Sequence, residues 1–142
     1  MMDCTSYSYG PWAIERLSRV IKKPSVFVTD CELALKNTLK THYSDVPQQL
    51  CTWYITENVG SKIRQAWAHQ PDPDVETTED SEDIEQQRTA CARRFQHLAS
   101  APTPAEWDTR WESIQNDYAE KEDFVSYIRT QWVPFKEQWC RA

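Results

Sequence analysis

The sequence predicts an α/β fold that is mostly helical and built on one short parallel pair of strands. Three observations carry this expectation. The β-branched and aromatic run Val26-Phe27-Val28 passes without charge into Thr29-Asp30, as a buried strand does. A second apolar run, Leu50-Cys51-Thr52-Trp53, follows after one helix-length crossover, which implies parallel pairing with a right-handed connection. The chain of 142 residues contains two glycines, too few for an architecture of tight hairpins, whose turns need residues tolerant of positive φ.

The elements follow in order. Met1 to Gly10 carries no periodic pattern and is expected to be a loose lead. From Pro11, which suits a first helical turn, the apolar residues Trp12, Ile14, Leu17, Val20 and Ile21 recur at helical spacing, and the helix should stop before Pro24. A strand is expected over Ser25–Thr29 and a helix from about Cys31 to Thr41, with Leu35, Thr38 and Leu39 on one face. His42 to Pro47 reads as a loop, and Leu50–Trp53 as the second strand. Ile55, Val59, Ile63 and Trp67, spaced by four, mark a third helix.

Gln70 to Asp83 combines prolines with acids and lacks aromatic residues, the composition of a linker. Beyond it every stretch reads as helix. Ile84, Cys91, Phe95 and Leu98 form one stripe; Trp107, Trp111, Ile114 and Tyr118 form another, after the cap-like Thr103-Pro104. Phe124, Tyr127, Ile128 and Trp132 form a third, kinked or stopped at Pro134 and continued through Phe135 and Trp139. Such aromatic stripes are expected to be packing surface. The organisation expected is thus a core over 1–69, an acidic linker over 70–83 and a helical array over 84–142.

Charge is uneven. The net charge is -6, yet eight acids and no Lys or Arg lie between Gln70 and Gln87, and outside that stretch 14 acids face 16 bases. The body is therefore near neutral, without the concentrated basic face of a duplex-binding protein. Five cysteines at irregular spacings, with no CxxC, favour reduced thiols inside a cell. No apolar run approaches the roughly 20 residues needed to cross a bilayer, so a soluble chain is expected.

Asp30 is the candidate site residue. Ligands of open α/β sheets gather at the carboxyl ends of strands, so an acid there is a candidate metal ligand. The competing expectation is that Asp30 caps the helix after it. His42, His69 and His97 stand at no ligand spacing from Cys51, and neither a glycine-rich phosphate loop nor His-Glu-x-x-His is present.

The block FVTDCELALKNTL followed by PQQLCTWYITENVGSKI resembles the centre of Mutator-like element (MULE) transposases: a strand ending in Thr-Asp, an alanine-leucine helix, then Leu-Cys-x-Trp-His and Asn-Val. The segment YIRTQWVPFKEQWCRA is similar to that family's closing helix. The resemblance spans about Trp12 to Ala142 and is most specific over Val28 to Asn58. It implies an incomplete ribonuclease H-like fold with a helical insertion and tail. It also implies an Asp, Asp, Glu triad, with Mg²⁺ (or Mn²⁺) as cofactor, DNA as partner and a nuclear location.

Under the resemblance Asp30 matches the second acid and Glu106, in Ala-Glu-Trp, the third, with Glu112 as fallback. In-line displacement at a phosphodiester uses two divalent cations roughly 3.5–4 Å apart, held by hard carboxylate oxygens.

Two departures set a further expectation. Only 24 residues precede the strand at Ser25, and Asp3, the one Asp among them, is not on a strand-like run; Tyr54 stands where the family's Cys-x-x-His has histidine. A truncated, catalytically inactive transposase fragment is therefore expected, binding metal poorly. The alternative is a domesticated, non-catalytic module contacting DNA or protein through bases such as Lys36, Lys40, Lys62, Arg64, Arg93 and Arg94. A third expectation is an unrelated helical interaction protein.

Overall fold

A computed structural model describes residues 10–68 and 78–141 of the chain. Residues 1–9 of the expected lead, with Asp3, lie outside the described residues, as do His69 and residues 70–77 of the acidic segment. The chain divides into two compact units, one ending at Cys51 and one beginning at Thr52.

The first unit runs α1 (Gly10–Ser18), β1 (Phe27–Thr29), α2 (Leu33–His42) and β2 (Gln48–Leu50). The strands are parallel, with Phe27 opposite Gln48, Val28 opposite Gln49 and Thr29 opposite Leu50. Bonds at both ends extend the ladder: Phe27 N donates to the Pro47 carbonyl at 3.0 Å and Cys51 N to the Thr29 carbonyl at 2.7 Å. The α2 crossover supplies the core. Leu39, Tyr43 and Val46 are buried, and Ile14, Leu35 and Phe27 pack on them, with the Phe27 and Tyr43 rings edge to face at 5.0 Å. The amide of Gln48 donates to the Lys36 carbonyl at 3.0 Å, tying β2 to the crossover, and Lys23 pairs with Asp45.

Several expectations need correction here. The first strand is not buried on both faces: Phe27 and Thr29 turn inward, whereas Val28 is 60% exposed and Val26 is also open. One crossover helix covers one face of a two-stranded ribbon, so the alternate side chains meet solvent. The apolar stripe of α1 is likewise mostly outward. Trp12, Leu17, Val20 and Ile21 are exposed, and Ile14 alone of the five joins the core. The helix stops at Ser18, whose hydroxyl donates to the Glu15 carbonyl at 2.7 Å, a local bond that competes with propagation.

The second strand is Gln48–Leu50 rather than Leu50–Trp53. Thr52 and Trp53 instead open α3 (Thr52–Ala66), because the four-residue spacing of Ile55, Val59 and Ile63 is satisfied by a helix that already bonds the Thr52 carbonyl through Thr56 Oγ1 at 2.8 Å.

The second unit continues with α4 (Thr78–Ala99), α5 (Pro104–Asp117), α6 (Glu122–Gln131) and a 3₁₀ segment, Val133–Gln138. Most of the predicted stripe residues form the core: Ile55, Val59, Ile63, Trp67, Cys91, Phe95, Leu98, Trp107, Trp111, Ile114, Phe124, Ile128, Trp132 and Trp139 are buried, while Ile84, Tyr118, Tyr127 and Phe135 are half-buried. Phe95 stacks on Trp139 at 5.3 Å, and Trp139 Nε1 donates to the Trp132 carbonyl at 2.8 Å. The expected helix start at Thr103-Pro104 holds, with Thr103 Oγ1 accepting from Glu106 N at 3.2 Å. Pro134 turns the chain into the 3₁₀ segment, where Phe135 leaves helical φ/ψ.

Within the expected linker, α4 already begins at Thr78, six residues before Ile84. No proline or glycine occurs from Thr78 to Ala99, so nothing in the backbone stops the helix from running up into the acidic segment. The end of α3 is held by cations: Arg88 donates to the Trp67 carbonyl at 2.7 Å and Lys121 to the Ala66 carbonyl at 3.1 Å. The unit boundary falls at Cys51, ahead of the expected one, because α3 packs with α4 and α6. Among the described residues no helix is long and apolar enough to cross a membrane.

Burial pushes the Cys91 thiol from 9.0 up to about 12, and the neighbouring Tyr118 hydroxyl from 10.0 to about 12 for the same reason. Both protons are held more tightly in the folded chain than in the unfolded one. Their stabilisation is therefore complete below the unfolded values and is lost as pH rises towards 12. Urea unfolding at stepped pH should show stability declining above about pH 9. Cys91→Ala should make that decline shallower while costing about 1 kcal/mol at neutral pH. An equal decline in both proteins would remove Cys91 as its source.

Candidate functional site at the carboxyl end of the first strand

Parallel pairing brings the carboxyl ends of both strands to one side of the first unit. Asp30 follows the last residue of β1, Cys51 follows the last residue of β2, and the Cys51 N–H bonds the Thr29 carbonyl between them. Asp30 is exposed, and its Oδ1 accepts from Glu32 N at 3.2 Å, an Asx-type turn. The residue at the N-cap of α2 is Glu32, whose side chain makes no capping bond. Asp30 thus shapes the approach to α2 from two residues earlier, and the N-cap position expected for it is taken by Glu32.

The hydroxyl of Thr29 is buried and bonds to no described protein atom. Cys31 and Cys51 are partly buried free thiols. Sequence reasoning missed the Thr29 hydroxyl, because an alternation rule places its side chain on the inner face without saying whether an acceptor waits there.

Glu106 lies in the second unit, in the first turn of α5. Its carboxylate pairs with Arg110 one turn on, and Arg110 also donates to the His97 carbonyl at the end of α4. The Glu106–Arg110–His97 chain is a clamp between two helices. The i,i+4 spacing of Glu106 and Arg110 was visible in the sequence; the third member, a backbone oxygen, was not. Glu112 is an exposed acid of the same helix. Tyr54, where the resemblance expects histidine, sets its ring edge-on to Trp132 at 6.5 Å.

Another concavity on α5, of about 280 Å³, is lined by Pro104, Trp107, Lys136, Glu137 and Cys140. Its lysine has protein partners. Lys136 Nζ lies 4.3 Å from the Trp107 ring centre and 3.3 Å from Asp108, and burial pushes the Cys140 thiol up to about 11.

A pair of Mg²⁺ ions needs acids that converge. Among the described residues no three His, Cys, Asp or Glu side chains are grouped to hold a metal ion. Asp30 and Glu106 belong to different units, and their carboxylates are engaged by a backbone N–H and by a guanidinium. With no such group among the described residues, no step through metal follows from Asp30 or Glu106. Compared with known proteins, the chain matches no family model, no curated protein and no solved structure.

Two substitutions test this local account. Thr29→Val removes a buried hydroxyl that has no partner and should leave stability unchanged or raise it by up to about 1 kcal/mol in chemical denaturation. A loss larger than that would show the hydroxyl to be bonded. In the clamp, Arg110→Ala should cost about 1–2 kcal/mol by leaving the His97 carbonyl without its charged donor, whereas Glu106→Gln should cost less than about 0.5 kcal/mol. The reverse order would mean that the carboxylate, not the guanidinium, holds the helices together.

Proposed function

We propose that this chain carries the second-acid strand of a ribonuclease H-like core of the Mutator-like transposase type, and that by itself it does not cut DNA. The observation that supports the reading most is the parallel β1–β2 pair, joined by a single helical crossover, with Asp30 at the carboxyl end of its first strand. That is where a sheet of this class presents an acid to a ligand. The block that builds this corner, Val28 to Asn58, is also the part most similar to the family.

The inactive half of the proposal rests on charge. Two cations roughly 3.5–4 Å apart require several convergent carboxylates to offset their mutual repulsion. Asp30 supplies one carboxylate, and Glu106 carries the counter-charge of Arg110. In the parent family the same corner would work with Mg²⁺ or Mn²⁺ on DNA in the nucleus; here Asp30 keeps the position without the chemistry. A domesticated module that contacts DNA or protein without cutting is the companion reading, because removal of cleavage leaves any contact surface intact.

Incubation of the purified chain with supercoiled plasmid and Mg²⁺ or Mn²⁺ should give no nicking above the protein-free control, and Asp30→Asn should behave identically. Nicking that disappears in Asp30→Asn would show an active enzyme and end the inactive reading. Retention of duplex DNA that weakens steeply with salt would favour the binding module. No retention at low ionic strength would leave DNA without support as a partner.

A further inference from the structure

The outer edge of β1 carries hydrogen-bonding groups that no described strand pairs with. Phe27 and Thr29 spend their backbone groups on β2, as the Phe27 N–H to Pro47 and the Cys51 N–H to Thr29 bonds show. By the alternation of a parallel ladder, the N–H and C=O of Val28 point to the opposite side, and those of Val26 follow the same direction. The side chains of Val26 and Val28 share the sheet face away from Phe27 and Tyr43, and they are 39% and 60% exposed. An apolar edge of this kind is a template for a further strand.

The charges on either side of the strand choose the occupant. Before it stand Lys22 and Lys23; after it stand Asp30 and Glu32. Lys22 and Glu32 are exposed, whereas Lys23 is committed to Asp45. A strand that is basic at its start and acidic at its end is complementary to its own copy only when the two run antiparallel. We propose that two copies of this chain associate through their β1 edges in an isologous antiparallel pair centred on Phe27. This register sets Val26 of each copy opposite Val28 of the other as hydrogen-bonded pairs, giving about four inter-copy backbone bonds. It also brings the Lys22 end of each copy to the Glu32 end of the other, twice by symmetry. The apolar faces of Val26 and Val28 then form one four-valine row across the two-fold axis. With so few residues paired, the dimer is weak and forms in the micromolar to sub-millimolar range.

Sedimentation equilibrium of the full chain over that range should show the apparent mass rising from 16.7 kDa towards twice that value. Val28→Lys places a charge on the exposed face of the edge, the device by which natural edge strands stay unpaired. It should abolish the rise, with the circular dichroism spectrum unchanged because Val28 makes no core contact. Lys22→Glu alone sets acid against acid at both ends and should weaken dimerisation about tenfold. The double variant Lys22→Glu with Glu32→Lys should restore it. A chain that stays at monomer mass throughout overturns the proposal and leaves the edge to a different partner. A dimer indifferent to Val28→Lys, or one that the charge swap fails to restore, also overturns it, because the contact then lies on another surface or in another register.

Discussion

A ribbon of two parallel strands cannot be covered by its own turns, and this constraint governs the first unit. Parallel neighbours need a crossover, and here the crossover is also the core: α2 delivers Leu39, the residues after it deliver Tyr43 and Val46, and Phe27 packs down onto them. One helix can shield one face. The inner face is therefore fixed by an edge-to-face ring contact and by the Gln48 bond to the Lys36 carbonyl, while Val26 and Val28 are left outward. Whatever acts at Asp30 is positioned by this arrangement, since the ladder from Pro47 to Cys51 determines where the strand ends.

The second unit is stabilised in another way. Its helices bury large rings among branched aliphatics such as Ile55, Ile63, Leu98 and Ile128, and a ring can tie two elements through its polar edge, as Trp139 Nε1 does on the Trp132 carbonyl. Cations close the helix ends: Arg88 and Lys121 on the end of α3, and Arg110 on the end of α4. Because helix termini leave carbonyls without partners, a long side chain from a neighbouring helix fixes packing and satisfies the backbone at once.

Much of this was legible in the residues. The parallel pair and its crossover, the buried stripes on α3, α4, α5 and α6, and the Thr103-Pro104 cap all follow from spacing and from the chemistry of single residues. Burial was less legible, because apolar character says that a side chain gains by being covered and not whether a cover exists. Trp12, Val28 and the apolar residues at the end of α1 show the difference. Boundaries failed where two periods competed, as at Thr52-Trp53, where β-forming residues were taken into a helix by the stripe that follows. At the candidate site the position of Asp30 could be read, but its bond to Glu32 N and the engagement of Glu106 by Arg110 depend on side-chain directions that spacing leaves open.

The placement of the seven tryptophans has an optical consequence. Trp12 and Trp53 are 62% and 71% exposed, and the other five are at most 9% exposed. Intrinsic emission should therefore divide into a red-shifted fraction that iodide quenches and a blue-shifted fraction that it does not reach. Trp12 is the sole indole of the first unit, so loss of the shielded emission tracks the helical unit alone. The first unit is better followed through the near-ultraviolet signal of Tyr43 against Phe27.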